Sequence, residues 1–281
     1  MNSTKIITGI DMKETLRGSD RGPGVSGPTE GESTVNSPKR LARFAGVLYL
    51  LNAITAGFAY GFVEIKMYVP GNAATTAGNV VANSGLVRLG VVSDLFQATV
   101  WVFLAMTLYL LLKHVHKSVA MAMLVLVALA AGIASLNTVF LFEGLQVATN
   151  GSYLAAFGTA GVNALVLLLL DIQHYGLLIA QIFFGLWLVP LGYLAYKSGL
   201  FPKALGVVLI VGGVCYLVDL LAAFLVPEFG QMIHGFVVIP CAIAEISMVL
   251  YLLVKGVKVP AQGTPTASAG ETTRVLGEQL L

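Results

Sequence analysis

NALVLLLLDIQHYGLLIAQIFFGLWLVPLGYLAY, residues Asn163–Tyr196, is the stretch whose reading decides the fold. It has the character of a helix in lipid, but about 34 residues would make a rod of roughly 50 Å, whereas about 20 residues cross the hydrocarbon of a bilayer. Asp171 and His174 interrupt the run near its start. Breaking the stretch there resolves the excess length. NALVLLLL then forms a short interfacial or re-entrant helix, and Asp171 stands where the true crossing begins and a carboxylate can cap orphan N–H groups. Pro190 bends the crossing near its far end.

The same length criterion applied outward from this stretch finds six crossings, at roughly 42–64, 86–112, 118–142, 175–196, 204–226 and 234–255. Composition agrees: 57% of side chains are hydrophobic and 11% charged, where soluble domains carry about 25% charged residues. The predicted fold is an all-α, polytopic membrane helix bundle over residues 41–258, with six transmembrane helices and the short interfacial helix before the fourth. Residues 1–40 and 259–281 are small, polar and of mixed charge, and read as disordered tails. Nothing near the start has the apolar centre of a cleaved signal peptide, so the first crossing acts as its own insertion signal. A formal charge of +2 without a basic helix or finger spacing excludes nucleic acid as a partner. Cys215 and Cys241 both fall inside apolar runs and read as buried small side chains rather than a disulfide or redox pair.

Lysine and arginine set the orientation. Lys39, Arg40 and Arg43 precede the first crossing; Lys113 and Lys117, Lys197 and Lys203, and Lys255 and Lys258 fall at the other connections of the same face. The opposite connections carry Lys66 and Arg88 only. Six crossings return both ends to the basic face, so both termini are expected in the cytoplasm and the protein in the cell membrane. Gly57 with Gly61, and Ala128 with Gly132, have the small-xxx-small spacing of close helix crossings.

An ionisable side chain near the bilayer centre costs about 2.5–3.5 kcal/mol on insertion scales, so each one needs a reason. Asp94 and Asp219 fall in the outer third of their crossings, Glu245 near the middle, and Arg88, Asp171 and His174 toward the outer rim. Asp171, His174, Leu178, Gln181 and Gly185 form one helical stripe; Asp94 and Gln97 share a face; so do Gly212, Tyr216 and Asp219, and His234, Cys241 and Glu245. Several helices thus bring acidic, amide or imidazole groups to similar depth. The expectation is a single outward-facing cavity lined by Asp94, Gln97, Asp171, His174, Gln181, Asp219 and Glu245, with Arg88 as counter-ion to one carboxylate. Carboxylates outnumber cations in this set, which favours a cation, a proton or a small polar solute over an anion.

Two other accounts compete. The same groups can serve as structural hydrogen bonds and ion pairs in a regulatory or structural membrane protein. Alternatively, Asp171, His174 and Asp219 can ligate a divalent metal in an intramembrane hydrolase, although no HExxH, HxxxH or DxxD pair supports it. Two outer histidines, His174 and His234, are a thin basis for haem, which is not expected. The aromatic residues Tyr153, Tyr175, Trp187 and Tyr196 read as belt or packing residues.

The runs FFGL at Phe183–Leu186, LGYLAYKSG at Leu191–Gly199, PKALG at Pro202–Gly206 and YLVDLLAAFLVP at Tyr216–Pro227 follow one another closely in the second half of the chain. With RLARFAGVLYLLN at Arg40–Asn52, VPGNAATTAGNV at Val69–Val80 and LVRLGVVSDL at Leu86–Leu95, the chain resembles domain-of-unknown-function family 4386, multi-pass membrane proteins of bacteria and archaea. The resemblance spans about Arg40–Lys258. It implies a six-helix unit and supplies no activity and no catalytic residues.

Overall fold

In hydrocarbon every backbone N–H and C=O must find its partner within the protein, and a long apolar segment does this locally only as a helix. The computed structural model describes residues 30–258, with side chains from residue 38. Its elements are α1 (Glu30–Phe58), continued by a π-helical segment, Ala59–Glu64, and a single turn, α2 (Ile65–Met67). Then follow α3 (Ala73–Ala82), α4 (Ser84–Leu112), α5 (Lys117–Thr149), α6 (Gly151–Lys197), α7 (Lys203–Leu225) and α8 (Pro227–Val254). There is no strand among the described residues. Six helical stretches are long and apolar enough to cross a membrane, and each overlaps one of the expected crossings. α1 takes in the last residues of the segment assigned to the first tail; the rest of that tail and the second tail lie outside the described residues.

Helix starts are set by side chains that accept orphan N–H groups. Asn72 accepts from Thr75 N at 3.0 Å, His116 Nδ1 from Val119 N at 3.3 Å and Asn150 from Ser152 N at 2.9 Å, while Pro227 opens α8. α1, α4, α5, α6, α7 and α8 pack each against the next, and α1 closes the ring against α8. The centre is aromatic: Trp187 of α6 lies 5.7 Å from Tyr49 of α1 and 5.7 Å from Trp101 of α4, centroid to centroid. Trp187 is 1% exposed, a core residue and not part of an interfacial belt. At the basic end Lys258 N donates to Leu200 O at 2.9 Å and Gly256 sits against Lys39 and Arg43, so the connections rich in lysine and arginine share one end.

α6 departs from expectation. It runs for 47 residues, and its one residue with non-helical angles is Gly158 (φ 68°, ψ 172°), a conformation essentially reserved for glycine. A short helical piece does precede the fourth crossing, but it is Gly151–Phe157; NALVLLLL continues unbroken into the crossing. Asp171 is therefore mid-helix and caps nothing. From Thr159 the rod is roughly 58 Å long at 1.5 Å per residue. Its extra length is housed by protein: Val162, Val166 and Leu170 bury against Met67, Ala77 and Val80 and against Leu141 and Leu145 of α5, forming a second apolar cluster at the lysine-poor end. α3, unforeseen as a helix, supplies part of that partner surface. Pro190 is carried inside the helix with no non-helical residue beside it.

The close helix crossings also fall elsewhere than expected. A Cβ added at Gly57, Gly61 or Gly132 would meet no atom within 4 Å, so those positions are not tight contacts. The tight seam joins α6 to α7. A Cβ on Gly192 or on Gly206 would lie 2.6 Å from the other's carbonyl oxygen, and one on Gly185 or Gly213 would lie 2.7 Å from its counterpart's. Two glycine pairs one heptad apart on antiparallel helices let the backbones approach where any side chain would hold them apart.

Candidate functional site

The polar residues of the spans sort into four groups. At the lysine-poor end, Tyr68 O–H donates to Asp171 Oδ1 at 2.5 Å and His174 Nδ1 lies 3.0 Å from Glu64 Oε1, with the Tyr68 and His174 rings 5.1 Å apart. These bonds tie the end of the first crossing to α6. Tyr68 stands just beyond that crossing, and burial, followed by its bond to Asp171, pushes its phenol up from the ordinary tyrosine value, which keeps it a donor.

Asp94 forms the second group. It is buried on α4, and its two oxygens accept from Tyr60 and Thr138 hydroxyls of the first crossing and α5. Arg88 does not serve it. The arginine is exposed, lies over the Phe142 ring at 6.0 Å, and makes no ion pair among the described residues. An exposed guanidinium at the lysine-poor end of α4 gains little by reaching into the bundle for a carboxylate.

The third group surrounds Asp219 of α7, which is 3% exposed. Gln181 Nε2 of α6 donates to Oδ2 at 2.8 Å, and His234 Nδ1 of α8 lies 2.9 Å from Oδ1. Asp219 and His234 line a cavity of about 490 Å³ between α6, α7 and α8, together with His174, Tyr175, Leu178 and Phe224. No lysine or arginine lines it. The stripe foreseen on α6 faces α7 here: His174 and Leu178 line the cavity, Gln181 holds Asp219, and Gly185 abuts Gly213.

The fourth group lies deeper. Tyr216, one turn from Asp219, donates to Glu245 Oε1 at 2.9 Å, and Gln97 Nε2 donates to Asn52 Oδ1 at 2.9 Å. All four line a second cavity, of about 140 Å³, with Tyr60, Trp101 and Trp187.

One convergent cavity is therefore replaced by two. His174 and Asp219 share the outer one, Gln97 and Glu245 share the inner one, and Asp94 and Asp171 line neither. The residues proposed as metal ligands separate in the same way, Asp171 to Tyr68, His174 to Glu64 and Asp219 to His234 and Gln181. Among the described residues no group of three or more His, Cys, Asp or Glu is placed to hold a metal ion. Asn52, Tyr60, Tyr68, Trp101 and Thr138 were not anticipated. Three lining residues of the first crossing carry a signal that a search for charged residues passes over: Asn52, Ala56 and Tyr60 recur every four residues, a single helical face with a polar residue at each end.

The chain belongs to the family described as Domain of unknown function (DUF4386), which matches residues 44–256. No curated protein and no solved structure matches it. It is an integral membrane protein of a helix-bundle family without an assigned activity.

Proposed function

We propose that the protein binds, and passes across the membrane, a small cationic or polar solute that is received in the outer cavity. One observation carries this reading: Asp219, nearly without solvent exposure, is held by Gln181 and His234 at the wall of a cavity of about 490 Å³ with no lysine or arginine in its lining. That volume lies within the roughly 300–1,000 Å³ of small-molecule sites. A carboxylate whose basic partner is an imidazole, with no lysine or arginine beside it, attracts positive charge, and the Tyr175 and Phe224 rings, 6.5 Å apart, offer π faces to an ammonium group. The basic end faces the cytoplasm by lysine and arginine bias, which turns the cavity outward. The bond from Tyr68 gives Asp171 a holding role, while His174 both pairs with Glu64 and lines the cavity.

Thermal unfolding of the detergent-purified protein with a panel of small amines, quaternary ammonium ions, polyols and carboxylates tests the reading. A cationic or neutral polar member raises the midpoint with concentration, since a ligand selective for the native state stabilises it. Asp219→Asn abolishes that shift while preserving a single gel-filtration peak. A panel without any shift, or shifts equal in Asp219→Asn, defeats it.

A further inference from the structure

The inner cavity carries two atoms that the protein leaves unanswered. Gln97 Oε1 and Trp101 Nε1 are both buried without a hydrogen-bond partner among the described residues, and both residues are 4% exposed and line the cavity. Buried polar groups are hydrogen-bonded in the great majority of cases, so an orphan acceptor and an orphan donor on two residues that line one space indicate a guest. Charge says which kind. Glu245 lines the same space with Oε1 held by Tyr216, and no ion pair among the described residues involves it.

We propose that the inner cavity is a binding site for a hydrated alkali-metal cation, with Glu245, Gln97 Oε1 and the oxygens of Asn52 and Tyr216 as its ligands. One carboxylate facing the space balances one positive charge. Hard cations take oxygen ligands, and these side chains supply them; Ca²⁺ or Mg²⁺ would bring a second charge and a stricter or larger oxygen shell. The volume of about 140 Å³ exceeds a bare ion and leaves room for a few waters at roughly 30 Å³ each. Such a water accepts from the Trp101 indole while binding the ion. This site is distinct from the outer cavity and does not depend on a solute binding at Asp219.

The chain's two tryptophans, Trp101 and Trp187, both line the inner cavity, so intrinsic fluorescence reports on it directly. Full-length protein in detergent is titrated with LiCl, NaCl and KCl at constant ionic strength against N-methylglucamine chloride, a cation too bulky for the space. One alkali cation gives a saturable change in emission, and a radioactive tracer of that cation binds with the same midpoint. Glu245→Gln raises the midpoint at least tenfold. Ala56→Leu fills the cavity from the α1 side, removes the response and serves if Glu245→Gln does not fold. Asp219→Asn leaves the midpoint within threefold, which separates this site from the outer one. No saturable response, a response that N-methylglucamine reproduces, one driven by protons with no tracer bound, or one unchanged in both inner variants overturns the proposal.

Discussion

Asp94 shows how a carboxylate is kept in the interior of this protein without an ion pair. Its oxygens are both engaged, by hydroxyls of the first crossing and of α5, so one residue of α4 joins three helices. Breaking one bond leaves an oxygen buried and unpaired, and that penalty exceeds the net value of the bond itself. Interhelical hydrogen bonds in membranes average about 0.6 kcal/mol of coupling and reach about 1.7 kcal/mol. A double-mutant cycle of Asp94→Ala and Tyr60→Phe, read from thermal or denaturant unfolding in detergent, is expected in the upper half of that range; coupling near zero would refute a shared bond. The sequence marked the residues that demand partners, among them Asp94, Asp219 and Glu245, because charge in an apolar run is conspicuous. It did not mark the partners. Tyr60, Thr138 and Tyr68 are amphipathic residues common in any span, and only the helix arrangement shows which of their hydroxyls meet a carboxylate.

Among the elements, the seam between α6 and α7 governs how close the two cavity walls stand. Gly192 faces the Gly206 carbonyl and Gly185 the Gly213 carbonyl, and a methyl group at either place would press on backbone, which yields far less than a flexible side chain. Gly192→Ala is expected to destabilise by about 1–3 kcal/mol, the usual penalty of overpacking. Gly57→Ala and Gly61→Ala, where a Cβ meets nothing, should be neutral or slightly stabilising because alanine is the better helix former. Unfolding midpoints of the three variants decide the matter; an equal effect at Gly192 and Gly57 would show that the seam is not tight. The four-residue rule pointed to the wrong glycines because it tests spacing within one helix. The pairs that count join two helices and repeat after seven residues. The break in α6 eluded the sequence for a related reason. Asp171 looked expensive in lipid, but α3 and the end of α5 stand beside that part of the rod, and the chain turns at Gly158, where only glycine adopts the required angles.

At the scale of the molecule, two apolar clusters are arranged along the bundle axis. The larger one holds the aromatic centre and the basic end, the smaller one holds α3 and the lysine-poor ends of α5 and α6, and polar ties such as His174 to Glu64 and Thr138 to Asp94 join the helices that pass between them. The six crossings were legible because lipid permits a long apolar segment little besides a helix. The ring order and the split into two cavities were not, since periodicity gives each helix a polar face without saying which neighbour it meets. Orientation then decides what the outer cavity can reach. With Cys215 and Cys241 replaced by serine, single cysteines at exposed Ser152 and Ser118 lie at opposite ends of α5 and its connections. In intact cells a membrane-impermeant maleimide is expected to label Ser152→Cys and spare Ser118→Cys until the membrane is opened. The lysines and arginines gathered at the Ser118 end make the reverse insertion unfavourable, because cationic loops are retained on the cytoplasmic side. Labelling of Ser118→Cys alone would place the Asp219 cavity on the cytoplasmic side, so that a solute would be received from within the cell, while the inner site, bounded by side chains on every crossing but the third, would keep its place in the bundle.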